Sequence, residues 1–488
     1  MESLILKKEI VSTFLKNNIL VSRDVLTKLN EPGVAEAWHK ALSCGTQPSE
    51  LLLDKSVAAD SQESKQQTTN SSIRIVWDYQ DFVKKRTVQD FVDYFNARYK
   101  SIQRMLSIRQ ELTNLTSIAR LRGKKEREEV SIIGMISEKG TTKNEHIVLT
   151  VEDTTGMMKI LISKNNKELY DIGRDLVYDE VIGINGTLGD GIVFAKSVTF
   201  PDIPIGETKR ATEEVYAAVL SCIHVGSSGF EKEKFENFTN WCHGNYGTAE
   251  QRAIAQKLKY IFICGDVVDG VGIYPAQEKE LSIPDIREQY REAARLFSKL
   301  PTHIPLIICP GNHDVGRISE PQPKLSKDYA KPLWELPNAT LVCNPCIVNI
   351  HASENFPGLD VLVYHGYSFD DYAEIVPSIK NSGAHISDRA PLVMRFLLQR
   401  RHLAPQHTST LYIPDSRSDP LVIEKVPDFF FAGHIHKSGS INYRTVTTVS
   451  ASCFQAKTDF QEKVGHDPDP GVVPVVNLHT RTVTPLRF

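Results

Sequence analysis

No apolar stretch in the 488 residues approaches the roughly 20 needed to span a bilayer, and Met1-Glu2-Ser3-Leu4 lacks a basic-then-apolar leader. A soluble, intracellular chain with no membrane partner is therefore expected. A surplus of either charge is also missing. The formal net charge of −3 excludes a surface built throughout to coat nucleic acid, but leaves room for a local basic face. Cysteine is sparse: eight residues, several inside apolar runs (Cys264, Cys309), suit buried fillers in a reducing compartment rather than a disulfide framework. Cys343-Asn344-Pro345-Cys346 has zinc-knuckle spacing, yet no second Cys or His pair follows at the usual distance. The pair reads as a turn with two packed thiols.

At this length, with 41% apolar residues, two or three domains with real cores are expected. Leu6, Ile10 and Phe14 recur at helical spacing, and Pro32-Gly33 breaks the rhythm, so residues 1–57 read as a small N-terminal helical module. The polar composition of 58–72 reads as a disordered linker. Residues 73–128 read as a basic helical segment. Between Lys84 and Arg127 twelve Lys or Arg face four Asp or Glu, with Phe91, Tyr94, Phe95 and Tyr99 interleaved. That pattern fits a solvated face with inward aromatics as well as a phosphate-binding one.

From 129 to 204 the period changes to two. Five strands, near Val130–Ile136, His146–Glu152, Met157–Ile162, Val177–Gly186 and Gly191–Thr199, with a helical insert at Asn165–Tyr170, fit a five-stranded OB-fold barrel. Few aromatics fall on the strands that would face a nucleic acid, which favours a docking role over a grip on single strands. Residues 205–488 alternate strand and helix, as in a mixed sandwich with helices outside. The whole reads as a multidomain α+β chain.

Five apolar runs in that last region each end on residues that ligate metals. Ala217–Ser221 leads into Cys222-Ile223-His224, Tyr260–Cys264 into Gly265-Asp266-Val267-Val268-Asp269, and Leu306–Cys309 into Gly311-Asn312-His313-Asp314. Val361–Tyr364 meets His365-Gly366, and Phe429–Ala432 meets Gly433-His434-Ile435-His436. Ligands at the ends of buried strands converge on one sheet edge. Two divalent ions need a bridging carboxylate, and Asp266 is its natural source. His224 and one of His434/His436 would serve the first ion. Asn312, His365 and the other histidine would serve the second. His313 is left for general acid work at a scissile phosphate, oriented by Asp314. Asp269 reads as a cap on the following segment. Any one motif could merely cap a turn; the ordered set outlines a two-metal phosphoesterase centre that activates water for in-line attack on phosphorus.

The set resembles the calcineurin-like metallophosphoesterase superfamily, whose pattern is Asp-x-His, Gly-Asp-x-x-Asp, Gly-Asn-His-Asp/Glu, His and Gly-His-x-His. This chain departs from it once, with Cys222 where the family has Asp. Three readings stay open: a thiolate ligand that turns the preference towards zinc or iron, an inert buried thiol that cripples the first site, or a substitution peculiar to this chain. The domain order, with the runs Ser221–Ser227, Arg401–Pro405, Val426–Asp428, Gly465–Pro468 and Gly471–Pro474, resembles the small subunit of the archaeal family D DNA polymerase. That resemblance implies a 3′ to 5′ exonuclease acting on single-stranded or mispaired ends of primer-template DNA, nucleoid-associated, using two manganese or magnesium ions. It implies a heterodimer with a large catalytic polymerase subunit. The competing expectation is a non-catalytic assembly subunit with a damaged metal site.

Overall fold

The computed structural model describes Ile10, Thr13, Trp38, His39 and Leu42, and then residues 73–488 except 82–83, 459–460, 463–464 and 466. The chain divides into two units, Met1–Thr69 and Asn70–Phe488. The expected N-terminal module and linker thus lie outside the described residues, save for those five positions, all helical.

The second unit opens with a strand, β1 (Arg74–Asp78), in the stretch expected to be helical. Ile75, Val76 and Trp77 favour extended backbone, and β1 pairs antiparallel with a strand about 270 residues later, a partner no local pattern reveals. The helix Val88–Ser107 follows, with Asp90 and Thr87 forming a capping box at its start. Its interleaved aromatics divide: Tyr94 and Tyr99 are buried, while Phe91 is 41% exposed. Arg98, though one of the basic residues, is also buried. It donates to Asp419 Oδ2 at 2.6 Å and to the Pro405 carbonyl at 2.6 Å, fixing the helix to the later part of the chain.

Strands β2 (Glu129–Thr141), β3 (Ile147–Asp153), β4 (Gly156–Ile162), β5 (Val181–Gly189) and β6 (Ile192–Thr199) close into a barrel in the order β2-β3-β4-β6-β5, with the helix Lys167–Asp175 between β4 and β5. This is the OB-fold expected from the alternating pattern. Ile132, Ile136, Leu149, Val151, Ile160, Ile162, Ile182 and Ile184 fill it. The buried pair Glu180–Arg400, 3.0 Å apart, joins the barrel to the final domain.

That domain is a sandwich of two six-stranded sheets. One runs β10-β9-β8-β7-β16-β17: β7 (Tyr216–Leu220), β8 (Leu258–Cys264), β9 (Leu306–Cys309), β10 (Ala339–Leu341), β16 (Val472–Asn477) and β17 (Val483–Arg487). The other runs β1-β11-β12-β13-β15-β14: β11 (Cys346–Ile350), β12 (Leu359–Val363), β13 (Phe429–Ala432), β14 (Gly439–Tyr443) and β15 (Val446–Ser450). Strand periodicity sends Tyr260, Phe262 and Cys264 between the sheets, and Ile261 and Ile263 outward against helices such as Ile286–Phe297. Phe429 and Phe431 likewise face inward, with Phe430 outward under the helix Ala390–Arg400. Burial on both faces is why these strands read as unbroken apolar runs. Cys343 and Cys346 are free thiols in the inter-sheet core, where Cys343 Sγ accepts from the Tyr79 amide at 2.9 Å.

Candidate metal centre

Strands β7, β8 and β9 are parallel neighbours in one sheet, and β12 and β13 in the other. The loops leaving their carboxyl ends therefore open at one rim of the sandwich, where open α/β sheets commonly place ligands. Cys222 and His224 follow β7, Asp266 follows β8, and Asn312 and His313 follow β9. His365 follows β12, and His434 and His436 follow β13. Five of these residues (Cys222, His224, Asp266, His434, His436) hold φ between +50° and +70°. Such left-handed backbone costs a non-glycine residue about 1–3 kcal/mol and persists only where surrounding contacts over-determine it. Glycines make room: a Cβ on Gly311 would lie 2.3 Å from Asp266 Oδ1, and one on Gly433 1.8 Å from Ser221 Oγ.

Asp266 stands at the middle. Its Oδ2 lies 3.2 Å from His365 Nε2 and 3.9 Å from His224 Nε2, and Oδ1 accepts from the His313 amide at 2.8 Å. Burial opposes its negative charge, but the surrounding His365, His313 and His224 outweigh burial and hold its pKa well below the ordinary carboxylate value. On one side His365 Nε2 is 2.9 Å from Asn312 Oδ1. His365 Nδ1 donates to the Cys264 carbonyl at 2.8 Å, so Nε2 is the ring's ligand atom. Three electron-rich atoms, His365 Nε2, Asn312 Oδ1 and Asp266 Oδ2, thus converge on one point, an arrangement that calls for a cation. The His434 ring lies 5.1 Å from that of His365, and its Nε2 donates to Asp370 Oδ2 at 3.1 Å.

On the other side His224 Nε2 and His436 Nε2 face each other at 3.1 Å. His224 Nδ1 donates to Asp269 Oδ1 at 3.0 Å, leaving Nε2 to ligate. Burial and the nearby His224 press the His436 pKa well below the usual histidine value. The Cys222 sulfur, wholly buried, lies within ligand distance of both groups: with His224 and His436, and with Asp266 and His365. It takes hydrogen bonds from the His434 amide at 3.2 Å and sits 3.2 Å from Ser221 Oγ. Burial, reinforced by the Asp266 charge, raises the thiol well above its ordinary pKa. The donor set fits two divalent ions sharing Asp266. Cys222, His224 and His436 would hold one, and Asn312, His365 and His434 the other.

The expected pairing of Asp314 with His313 is not what the structure has. Asp314 turns its carboxylate onto the amides of Gly311 (2.9 Å) and Val267 (3.1 Å) and the Tyr290 hydroxyl (3.0 Å). Burial first, then repulsion from Asp266, lifts its pKa to about 6. The buried amides of Val267, after β8, and Gly311, after β9, outcompete a neighbouring ring for the same oxygens. His313 is set instead by the Asp269 carbonyl, which accepts from Nδ1 at 2.8 Å. Asp269, which the sequence offers as a cap, is the orienting carboxylate of His224, held in turn by Gln277 and Gln455, each at 2.9 Å. Asp370 and Gln461, whose side chain meets His436 Nδ1 at 2.8 Å, are further supports that no motif announces. Of these ligands, His224, Asp266, Asn312, His434 and His436 line a cavity of about 670 Å³.

A calcineurin-like phosphoesterase profile matches residues 216–438, the region that carries every one of these ligands. Across a wider span the chain is 39% identical to the DNA polymerase II small subunit of Methanothermobacter thermautotrophicus, over 80% of this chain and 78% of that one. It is 37% identical to the protein of the same name from Archaeoglobus fulgidus, over 80% and 75%. With the Pyrococcus furiosus subunit, also 37% identical, the match covers 81% of this chain but 63% of the longer relative. Fold, ligand set and likeness over four fifths of its length agree: the chain belongs to the DNA polymerase II small-subunit family, with a metallophosphoesterase domain.

Proposed function

We propose that this chain is the proofreading exonuclease of an archaeal replicative polymerase. It hydrolyses phosphodiester bonds of single-stranded or mispaired DNA 3′-ends in the 3′ to 5′ direction while bound to a large subunit that carries synthesis. The observation that carries this reading is the convergence of His365 Nε2, Asn312 Oδ1 and Asp266 Oδ2, beside the facing pair His224 and His436. When bound, two divalent ions supply charge neutralisation at the phosphodiester and activation of the attacking water. Asp266 is the carboxylate that both ions would share. Asp269 and Asp370 fix the rings of His224 and His434. His313, with Nδ1–H engaged by the Asp269 carbonyl, has Nε2 left to exchange a proton with the leaving oxygen. Asp314 supports the β9 loop rather than the proton transfer. Manganese or magnesium suits the carboxylate and amide of the second position; zinc or iron suits the first if the Cys222 sulfur ligates.

One observation favours a second reading, that of a non-catalytic assembly subunit: the Cys222 thiol is fully buried and held neutral where a hard anionic ligand is needed. Digestion of 3′-labelled single-stranded DNA in manganese separates the two, with the chain as isolated, His313→Ala and Cys222→Asp compared. The nuclease reading expects steady release of the labelled 3′ nucleotide, slowed roughly 10²–10⁴-fold in His313→Ala. Equal and negligible cleavage by both ends it. Rescue by Cys222→Asp alone makes the cysteine the lesion and supports the assembly role.

A further inference from the structure

Two tyrosines edge the cavity, one beside each half of the centre. The Tyr274 ring is 6.3 Å from that of His313, and the Tyr367 ring 5.5 Å from that of His434. Both are partly exposed to the cavity that they line. Neither belongs to a ligand motif, and neither ring completes the hydrophobic core.

Both are held in place. Tyr274 donates its hydroxyl to Glu280 Oε2 at 3.0 Å, and the loop carrying it is tied to the centre through Gln277. The Gln277 side chain accepts from the Ile273 amide at 2.9 Å and donates to the Asp269 carbonyl at 2.8 Å. Tyr367 follows His365-Gly366 directly, with Gly366 at φ +109° turning the chain so that ligand and tyrosine leave in different directions. The rings are thereby positioned beside the ligands.

The chemistry of the remaining wall says what they face. Among the described residues no Lys or Arg lines this cavity, and Asp371 and Glu374 do, with Asp371 Oδ2 buried and without a hydrogen-bond partner. Among the described residues of that wall, nothing neutralises a second phosphate. What the flanks of the centre can accept is the uncharged part of a nucleotide, and a base stacks on an aromatic ring whatever its identity.

We propose that Tyr274 and Tyr367 are a two-ring clamp that stacks the bases on either side of the scissile phosphate, so that only an end whose last bases are unstacked from a complementary strand is seated. This rests on the exonuclease reading and supplies its selectivity for frayed or mispaired ends from the phosphoesterase loops, not from the barrel.

The test uses the full chain with its large subunit and pairs two 3′-ended single strands, one intact and one with abasic residues at its last two positions. Cleavage is measured in manganese. Binding is measured by fluorescence anisotropy with the divalent ions chelated. Stacking on one ring is worth roughly tenfold to a hundredfold, so the intact end should be cut and bound that much better than the abasic one. Tyr274→Ala and Tyr367→Ala should each narrow the gap by lowering only the intact-end values, and Tyr274→Phe and Tyr367→Phe should restore it. If the chain cuts intact and abasic ends equally fast, the clamp is overturned while the exonuclease reading stands. If it cuts neither, that reading fails and binding decides the clamp. A preference for intact ends that the alanine variants abolish supports it; equal binding of both ends rejects it.

Discussion

The two halves of the candidate metal centre are built to different standards. Around Asn312, His365 and His434 the donors are hard or imidazole, and His365 is fixed from both sides, by the Cys264 carbonyl at Nδ1 and by Asn344 at its amide (2.8 Å). Around His224 and His436 the anionic place is taken by a neutral thiol, and two rings face each other without a carboxylate between them. Yet Asp269, which orients the weaker half, is fully buried and has three side-chain partners, whereas Asp370 on the stronger half is 46% exposed. The supports of the first position are thus more elaborate than its ligands, which argues that the position is built to hold a cation and that Cys222 alone departs from the plan.

The largest effect should come from the residue that the halves share. Asp266→Asn keeps the shape but removes the charge that both positions use. The cleavage rate should fall roughly 10³-fold or more, since the lost stabilisation is several kcal/mol at about 1.4 kcal/mol per factor of ten. Calorimetric titration with Mn²⁺ should show loss at both positions. Retention of one full-affinity site would break the comparison, because it would make the halves independent.

Next in size come the orienting carboxylates. Changes of this kind typically weaken metal binding about 10–100-fold. Asp269→Asn should lie towards the upper end, because the new amide places a donor against the donors of Gln277 or Gln455 at a fully buried position. Asp370→Asn should lie towards the lower end, as its contact with His434 is open to solvent. Calorimetry with Mn²⁺ and with Zn²⁺ on both variants checks the order; a greater loss in Asp370→Asn would reverse the view of which half is better supported.

That the candidate ligands come together could be read from the chain because they follow strands buried on both faces, where polar runs such as Gly265-Asp266 and Gly433-His434 interrupt an apolar stretch. The barrel was legible for a different reason: period-two alternation with turn residues between. What was not legible depends on contacts between distant segments. Asp269 sits 45 residues from His224 and 186 from Gln455, and nothing local distinguishes an orienting carboxylate from a cap. Asp314 stands next to His313 in sequence, but the backbone turn points its oxygens at the amides of Val267 and Gly311. Strand β1 joins its sheet only through β11. The basic face expected of Lys84–Arg127 is partly consumed at Arg98, whose charge is buried against Asp419.

The smallest effect, and the finest probe of the weaker half, lies at Gln461. Its Oε1 accepts from the Thr458 amide at 3.1 Å, which leaves Nε2 to donate to His436 Nδ1. An imidazole that accepts at Nδ1 carries its proton at Nε2, the atom directed at His224, so His436 is held in the form least ready to ligate there. Gln461→Glu turns that donor into a carboxylate acceptor. The proton then moves to Nδ1 and the Nε2 lone pair faces the first position, as Asp269 already arranges for His224. Zinc affinity should rise severalfold, while Gln461→Ala, which merely frees the ring, should change it by less than about tenfold. A fall in affinity for Gln461→Glu would mean that His436 does not ligate through Nε2, and that the first position is held by His224, Asp266 and the sulfur alone.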